Sequence, residues 1–173
     1  LRYAVGEGVP WELAYDDGRA ALTWLREHAA EVDVAQGQVA VVGFSAGGHL
    51  ALSLSTISAE RPDAVVLGYP WLPAAQEVPE GDAAMAGVVA AVDGRTPPTF
   101  VFHTVPDEIA PVQHALGLLT ALADHGVLFE AHLYPVGVHG LSLAAPHTSG
   151  GRPEMVEPVV AAWLPDSVRF LTS

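Results

Sequence analysis

The chain has 173 residues, 50% of them hydrophobic, and seven basic against twenty acidic residues give it a formal net charge of −13. A chain of this size can bury one substantial core, so one domain over residues 1–173 is expected, and the negative charge argues against binding to nucleic acid or to an anionic membrane surface. The absence of cysteine excludes a disulfide framework, a thiolate nucleophile and a cysteine-based metal site.

The hydrophobic pattern predicts strands that alternate with helices. Strands are predicted at residues 1–5, 39–44, 64–69, 99–103 and 129–134, and helices at 13–28, from 46 onward, at 111–125 and at 157–171, the last bent or restarted at Pro165. Several strands are apolar without alternation, which is typical of a parallel sheet covered on both faces. The order predicts an α/β fold, with a mostly parallel sheet flanked by helices on both faces and functional residues at the carboxyl ends of the strands.

Residues 70–98 interrupt this alternation. They are rich in proline, glycine, alanine and acidic residues, with at most a weak helix over residues 82–92. Such a segment would overhang the strand ends, either as a lid or substrate wall or as a plain surface connection.

The segment Gly43-Phe44-Ser45-Ala46-Gly47 places a serine between two glycines, after an apolar strand and before a helix. A turn this tight strains the serine and brings the strand and helix backbones together, so its neighbours must be small. The pattern predicts a nucleophile elbow with Ser45 as the nucleophile, the alternative being a turn made of small residues.

A serine alcohol needs a base to take its proton, and histidine is the usual one. Of eight histidines, only His139 lies in a glycine-punctuated loop directly after a predicted strand, between Gly137 and Gly140. We therefore predict His139 as the base. Three histidines on predicted helices are expected at the surface or its boundary: His28, His114 and His125. Two others, His49 and His132, are expected to be hydrogen-bonded structural residues.

Asp107 is the predicted orienting acid, because it lies just beyond the strand at residues 99–103 and ahead of a helix opened by Pro111. A carboxylate there could accept the imidazole N–H and favour the tautomer whose free nitrogen faces the serine. Glu108 is the local competitor, and Asp107 has the alternative role of capping the loop. His103 is expected to brace this loop.

Four groups of residues together resemble a known family. They are Gly43-Phe44-Ser45-Ala46-Gly47-Gly48-His49-Leu50-Ala51, then Leu67-Gly68-Tyr69-Pro70, then His103 through Asp107 to Pro111, and His132-Leu133-Tyr134-Pro135 leading to Gly137, His139 and Gly140. This set resembles the α/β-hydrolase esterases of the acetyl-esterase type, similar to the family of acetylxylan esterases and hormone-sensitive-lipase-like carboxylesterases.

The resemblance implies Ser45, Asp107 and His139 as nucleophile, acid and base, and the Ala46 N–H as an oxyanion donor. It implies hydrolysis of a short-chain carboxylic ester through an acyl-enzyme, with no cofactor and no metal. Trp71 and Leu72 are expected to line the acyl or alcohol side, the alternative being that they only pack.

The family pattern also contains a His-Gly-Gly stretch that supplies a second oxyanion donor, and this chain has none at the matching place. We therefore expect a domain that is N-terminally incomplete and lacks its first strands. Residues 1–5 would pair with a new neighbour, remain unpaired, or leave an open edge that favours a homo-oligomer.

The sequence thus predicts a serine esterase that acts on small-molecule esters, with acetyl groups on sugars as one substrate class. The alternatives are a serine peptidase or thioesterase on the same fold, and a truncated, non-catalytic domain that acts as an interaction module. No nucleic-acid or membrane partner is expected. The lack of a signal-peptide pattern or a bilayer-spanning run slightly favours a cytoplasmic location.

Overall fold

The computed structural model describes residues 1–6, 8–35, 37–74, 78 and 87–173. Over these residues the elements are α1 (Trp11–Glu27), β1 (Ala40–Phe44), α2 (Ala46–Thr56), β2 (Ala64–Gly68), β3 (Thr99–Thr104), α3 (Val112–Asp124), β4 (Phe129–Tyr134), a 3-10 turn (Pro153–Met155), α4 (Pro158–Ala161) and α5 (Trp163–Thr172). The predicted alternation of strands and helices is confirmed.

The four strands form one parallel sheet in the order β1-β2-β3-β4. Gly43 pairs with Leu67, and Thr104 pairs with Tyr134. Because all four strands run in the same direction, their carboxyl ends lie at one edge of the sheet. The segments that follow β1, β3 and β4 therefore meet at that edge.

Helices cover both faces of this sheet, as the predicted fold class requires. On one face, Leu52 of α2 and Leu118 of α3 pack against Val101 of β3. On the other face, Trp163 of α5 packs against Phe102, the next residue of β3. All six residues of β3 are buried, and full burial of each large apolar side chain contributes about 1.5–3 kcal/mol.

The prediction of a strand at residues 1–5 is wrong, because this segment is coil. It lies against the helices instead, where the Ala4 N–H donates to Asp17 Oδ2 of α1 at 2.8 Å. Among the described residues, β2 is the only strand paired with β1, and Val42 of β1 stays 51% exposed. A strand needs a neighbouring strand that donates and accepts hydrogen bonds along its length, and no strand of the described residues pairs with residues 1–5.

The C-terminal helix is also interrupted at a different place from the predicted one. The chain turns at Ala162 and restarts as α5 at Trp163, so Pro165 is not the point of interruption. Pro165 lies in the first turn of α5, where a missing N–H removes no intrahelical hydrogen bond.

The segment at residues 70–98, for which the sequence predicts a lid, a substrate wall or a plain surface connection, lies partly outside the described residues, since 75–77 and 79–86 are not described. Of the predicted weak helix, residues 87–91 form turns and residue 92 is coil. Val88 and Val92 are buried in the core that includes α3, so this part packs into the domain. Within the described residues, no helix is both long and apolar enough to cross a membrane.

Candidate active site

Ser45 is the single residue between β1 and α2, and it adopts a left-handed backbone with φ of 53°. Its N–H donates to the Gly68 carbonyl at 3.1 Å, and its carbonyl accepts the Trp71 N–H at 3.0 Å. The crowding is severe, because a Cβ on Gly43 would lie 2.1 Å from the Gly47 carbonyl oxygen. Hydrogen bonds to the end of β2 and the segment after it thus hold a conformation that costs on the order of 1–3 kcal/mol.

His139 lies in the loop after β4, and both nitrogens of its ring are hydrogen-bonded. Nδ1 lies 2.7 Å from Asp107 Oδ2, and Nε2 lies 2.8 Å from Ser45 Oγ. Since a carboxylate can only accept, Nδ1 carries the proton, and Nε2 is left to accept the serine hydroxyl. The His139 side chain is 14% exposed and the Asp107 side chain 0%. The three predicted residues are therefore brought together in the order that proton transfer requires.

Asp107 also holds its own loop. Its second oxygen, Oδ1, accepts the N–H groups of Ile109 and Ala110, each at 2.9 Å. The two interpretations of Asp107 drawn from the sequence are thus compatible, since one oxygen organises the turn and the other contacts His139. The competing Glu108 is exposed.

Three further histidines are hydrogen-bonded structural residues, as the sequence predicts. His49 is fully buried and its Nδ1 accepts the Trp11 indole N–H at 3.2 Å. His132 donates to Glu130 at 2.8 Å. His103 is also fully buried and donates from Nδ1 to the Thr104 carbonyl at 3.0 Å, and burial lowers the pKa of its imidazole.

The expectation that His114 lies at the surface or its boundary is wrong. It is buried at 9% exposure, and its Nδ1 accepts the Leu72 N–H at 3.3 Å. The sequence does carry a signal for this position, because His114 shares a helical stripe with the buried Leu118 and Leu122 at i+4 and i+8.

Of the residues predicted to contact substrate, Ala46 and Trp71 adjoin the serine turn, whereas Leu72 lies against α3. Ala46 is exposed and begins α2, so its N–H has no carbonyl partner one turn earlier in the helix. Leu72 lines a cavity of about 800 Å³ between the segment after β2 and α3. Trp71 is partly exposed and does not line that cavity. In the described part of the chain, no three His, Asp or Glu side chains cluster closely enough to hold a metal ion.

Comparison with known proteins adds independent findings. A family model described as the α/β-hydrolase fold matches residues 3–91. MGS-M1, an α/β-hydrolase enzyme from a Medee basin deep-sea metagenome library, is 38% identical with a TM-score of 0.87, over 98% of this chain and 68% of that one. An acetyl ester-xyloside bifunctional hydrolase from Caldicellulosiruptor lactoaceticus is 29% identical with a TM-score of 0.77, over 98% of this chain and 71% of that one.

Endo-1,4-beta-xylanase B of Butyrivibrio fibrisolvens is 25% identical in an alignment of 156 residues, and the match covers 75% of this chain and 24% of the xylanase. The chain thus spans about a quarter of that relative and about 70% of the two solved structures. These matches confirm the fold class and the resemblance inferred from the sequence motifs.

Proposed function

We propose that this chain, which belongs to the α/β-hydrolase family, hydrolyses short-chain carboxylic esters through an acyl-enzyme on Ser45. The observation that carries the proposal is the unbroken series of hydrogen bonds from Ser45 through His139 to Asp107, at 2.8 and 2.7 Å. A serine hydroxyl that merely packed in a turn would need neither an imidazole acceptor nor a carboxylate behind it.

In the first half of the reaction, Ser45 Oγ attacks the ester carbonyl carbon while His139 Nε2 takes the hydroxyl proton. The C–O bond to the alcohol then breaks, and the leaving alkoxide takes that proton from His139. Water repeats the sequence on the acyl-enzyme and releases the carboxylic acid. Throughout, the Asp107 carboxylate accepts the Nδ1–H and stabilises the imidazolium that forms at each step.

The developing oxyanion requires donors that are in place beforehand, and the Ala46 N–H is the one we assign. It stands at the start of α2, where the helix dipole favours negative charge. The backbone hydrogen bonds of Ser45 with Gly68 and Trp71 fix the turn. The Ser45 hydroxyl and the Ala46 N–H are therefore held at a fixed distance and orientation relative to each other.

For the substrate, we propose small acyl groups, with acetyl esters of sugars as the preferred class. The resemblance to acetyl esterases and the acetyl ester-xyloside hydrolase among the relatives support this choice. A serine peptidase or thioesterase would use the same three residues, so the leaving group must be determined by assay.

Labelling by a fluorophosphonate probe tests the nucleophile. We expect the wild type to be labelled and Ser45→Ala not to be. Ser53→Ala is the matched control, because Ser53 is a buried serine of α2 whose hydroxyl donates to the His49 carbonyl, and it should be labelled like the wild type. An unlabelled wild type would favour a non-catalytic interaction module, and labelling of Ser45→Ala would refute the assignment.

Turnover of p-nitrophenyl acetate, p-nitrophenyl butyrate, an acetylated sugar and a peptide amide tests the substrate class. We expect the acetate to be cleaved faster than the butyrate, and the acetylated sugar to be deacetylated. Faster cleavage of the amide than of any ester would establish the peptidase alternative instead.

A further inference from the structure

Tyr69 stands directly beyond the end of β2, beside the serine turn. Its backbone is left-handed, with φ of 35°, and its N–H donates to the Phe102 carbonyl at 2.7 Å. The side chain is 3% exposed and packs with Phe44 and Phe102 in the core. A tyrosine in this conformation is uncommon, and the adjoining strand β3 fixes it.

From this position Tyr69 contacts the His139 loop at two points. Its ring meets the imidazole of His139 in an edge-on arrangement, with centroids 5.0 Å apart and planes at 70°. Its hydroxyl oxygen accepts the N–H of Ser142, three residues further along, at 3.0 Å. Tyr69 belongs to one of the four groups of residues that resemble the esterase family, but the sequence predicts no role for it in the site.

The loop needs such contacts because its own backbone does little to hold it. Gly137 and Gly140 flank His139 with φ of 108° and 83°, and glycine carries the largest conformational freedom of any residue. Ser142 is held on its other side by Trp163, whose indole N–H donates to the Ser142 carbonyl at 2.9 Å. The loop is thus fixed at Ser142 by two side chains, and Tyr69 is the one that also contacts the imidazole.

We propose that Tyr69 is a positioning residue for His139 in the ester hydrolysis proposed above, on which this inference rests. Its hydroxyl anchors the loop at Ser142, and its ring limits the tilt of the imidazole between Ser45 and Asp107. Proton transfer depends on this geometry, and a misplacement of about 1 Å can cost 10²-fold in rate.

Tyr69→Phe tests the hydroxyl while keeping the ring. Tyr134→Phe is a matched control, because Tyr134 lies in the same core cluster and its buried hydroxyl has no hydrogen-bond partner among the described residues. We expect Tyr69→Phe to lower kcat for p-nitrophenyl acetate by about 10-fold with little change in KM. We expect Tyr134→Phe to stay within about twofold of the wild type.

A second measurement separates positioning from general stability. The His139 Nδ1 proton bonded to Asp107 should give a low-field proton NMR resonance, assigned by its loss in Asp107→Ala. We expect Tyr69→Phe to broaden or shift this resonance and Tyr134→Phe to leave it unchanged.

The inference is overturned if Tyr69→Phe keeps the wild-type kcat, or if Tyr134→Phe lowers kcat as much. It is also overturned if the resonance is identical in the wild type, Tyr69→Phe and Tyr134→Phe. A wild type that neither hydrolyses esters nor takes the fluorophosphonate would defeat the proposed function instead. The resonance comparison would then still decide whether Tyr69 orients His139.

Discussion

Asp107→Asn should abolish most of the activity while leaving the fold intact, because the two carboxylate oxygens of Asp107 have different hydrogen-bond partners. Oδ1 of Asp107 accepts two backbone N–H groups, from Ile109 and Ala110, and Oδ2 accepts the Nδ1–H of His139. An asparagine at this position must turn its carbonyl oxygen toward the two N–H groups, because an NH₂ group there would lose both bonds. The NH₂ group therefore faces His139.

The imidazole must then accept at Nδ1 and carry its proton on Nε2. In that tautomer Nε2 donates to Ser45 Oγ and cannot take the hydroxyl proton. Loss of the correct tautomer in a serine triad typically lowers kcat by about 10⁴-fold. Since both bonds to the turn survive, we expect the melting temperature to change by less than about 4 °C, the shift that corresponds to about 1 kcal/mol in a chain of this size.

Steady-state hydrolysis of p-nitrophenyl acetate, with thermal unfolding followed by circular dichroism, measures both quantities. Glu108→Gln is the control, since it removes a charge from the neighbouring exposed carboxylate and should keep full activity. A kcat for Asp107→Asn within about 10-fold of the wild type would refute this reasoning, because it would mean that His139 does not depend on Asp107 for its tautomer. Loss of activity in Glu108→Gln would move the acid to that residue.

Two further predictions concern stability. Gly43→Ala should lower the free energy of unfolding by more than about 3 kcal/mol, because its Cβ would meet the Gly47 carbonyl oxygen at 2.1 Å. Gly117→Ala should raise the free energy of unfolding by about 0.5–1 kcal/mol, because Gly117 lies in α3 with nothing within 4 Å of the added Cβ. Urea titrations of the two variants measure both changes, and equal effects would contradict the crowding argument. Burial lowers the pKa of the His103 imidazole below its ordinary value of 6.5. The unfolded chain therefore binds a proton at His103 more readily than the folded chain does, and the free energy of unfolding should fall as the pH drops below 6.5. His103→Gln should weaken this pH dependence, and substitution of the exposed His147 by glutamine should not. If the free energy of unfolding varies with pH equally in the wild type and in His103→Gln, the assignment to His103 is wrong.

The sequence predicts much of this site because its signals are local. A serine between glycines after an apolar strand, a histidine between glycines after another, and an aspartate in the loop after a third are all visible within a few residues. Parallel strands then bring Ser45, Asp107 and His139 to the same edge of the sheet without further information. Their hydrogen-bonded contact is observed, while their catalytic roles stay a prediction for the assays above.

Residues 1–5, His114 and Tyr69 could not be predicted for a different reason, since distant segments set their environments. Residues 1–5 have the composition of a strand, but pairing is a property of two segments. The burial of His114 depends on the segment after β2, which supplies the Leu72 N–H that it accepts. Tyr69 precedes a proline, which favours an extended backbone, so its left-handed conformation could not be inferred locally.

Backbone strain in the described part of the chain is concentrated at this site. Five non-glycine residues in the described part have a positive φ, and four of them belong to this site. They are Ser45, Tyr69, and Ser142 and Ala144 in the segment after His139. Each such conformation costs on the order of 1–3 kcal/mol and persists only where its surroundings impose it.

The hydrogen bonds that impose three of these conformations form one connected set. Gly68 accepts from Ser45, Tyr69 is held by its donation to Phe102, and the Tyr69 hydroxyl in turn accepts from Ser142. A relaxation at the end of β2 would therefore loosen the serine turn and one of the two side-chain contacts that hold the histidine loop at Ser142. The positions of the hydroxyl and the imidazole are coupled through this strand end as well as through the 2.8 Å hydrogen bond that joins them.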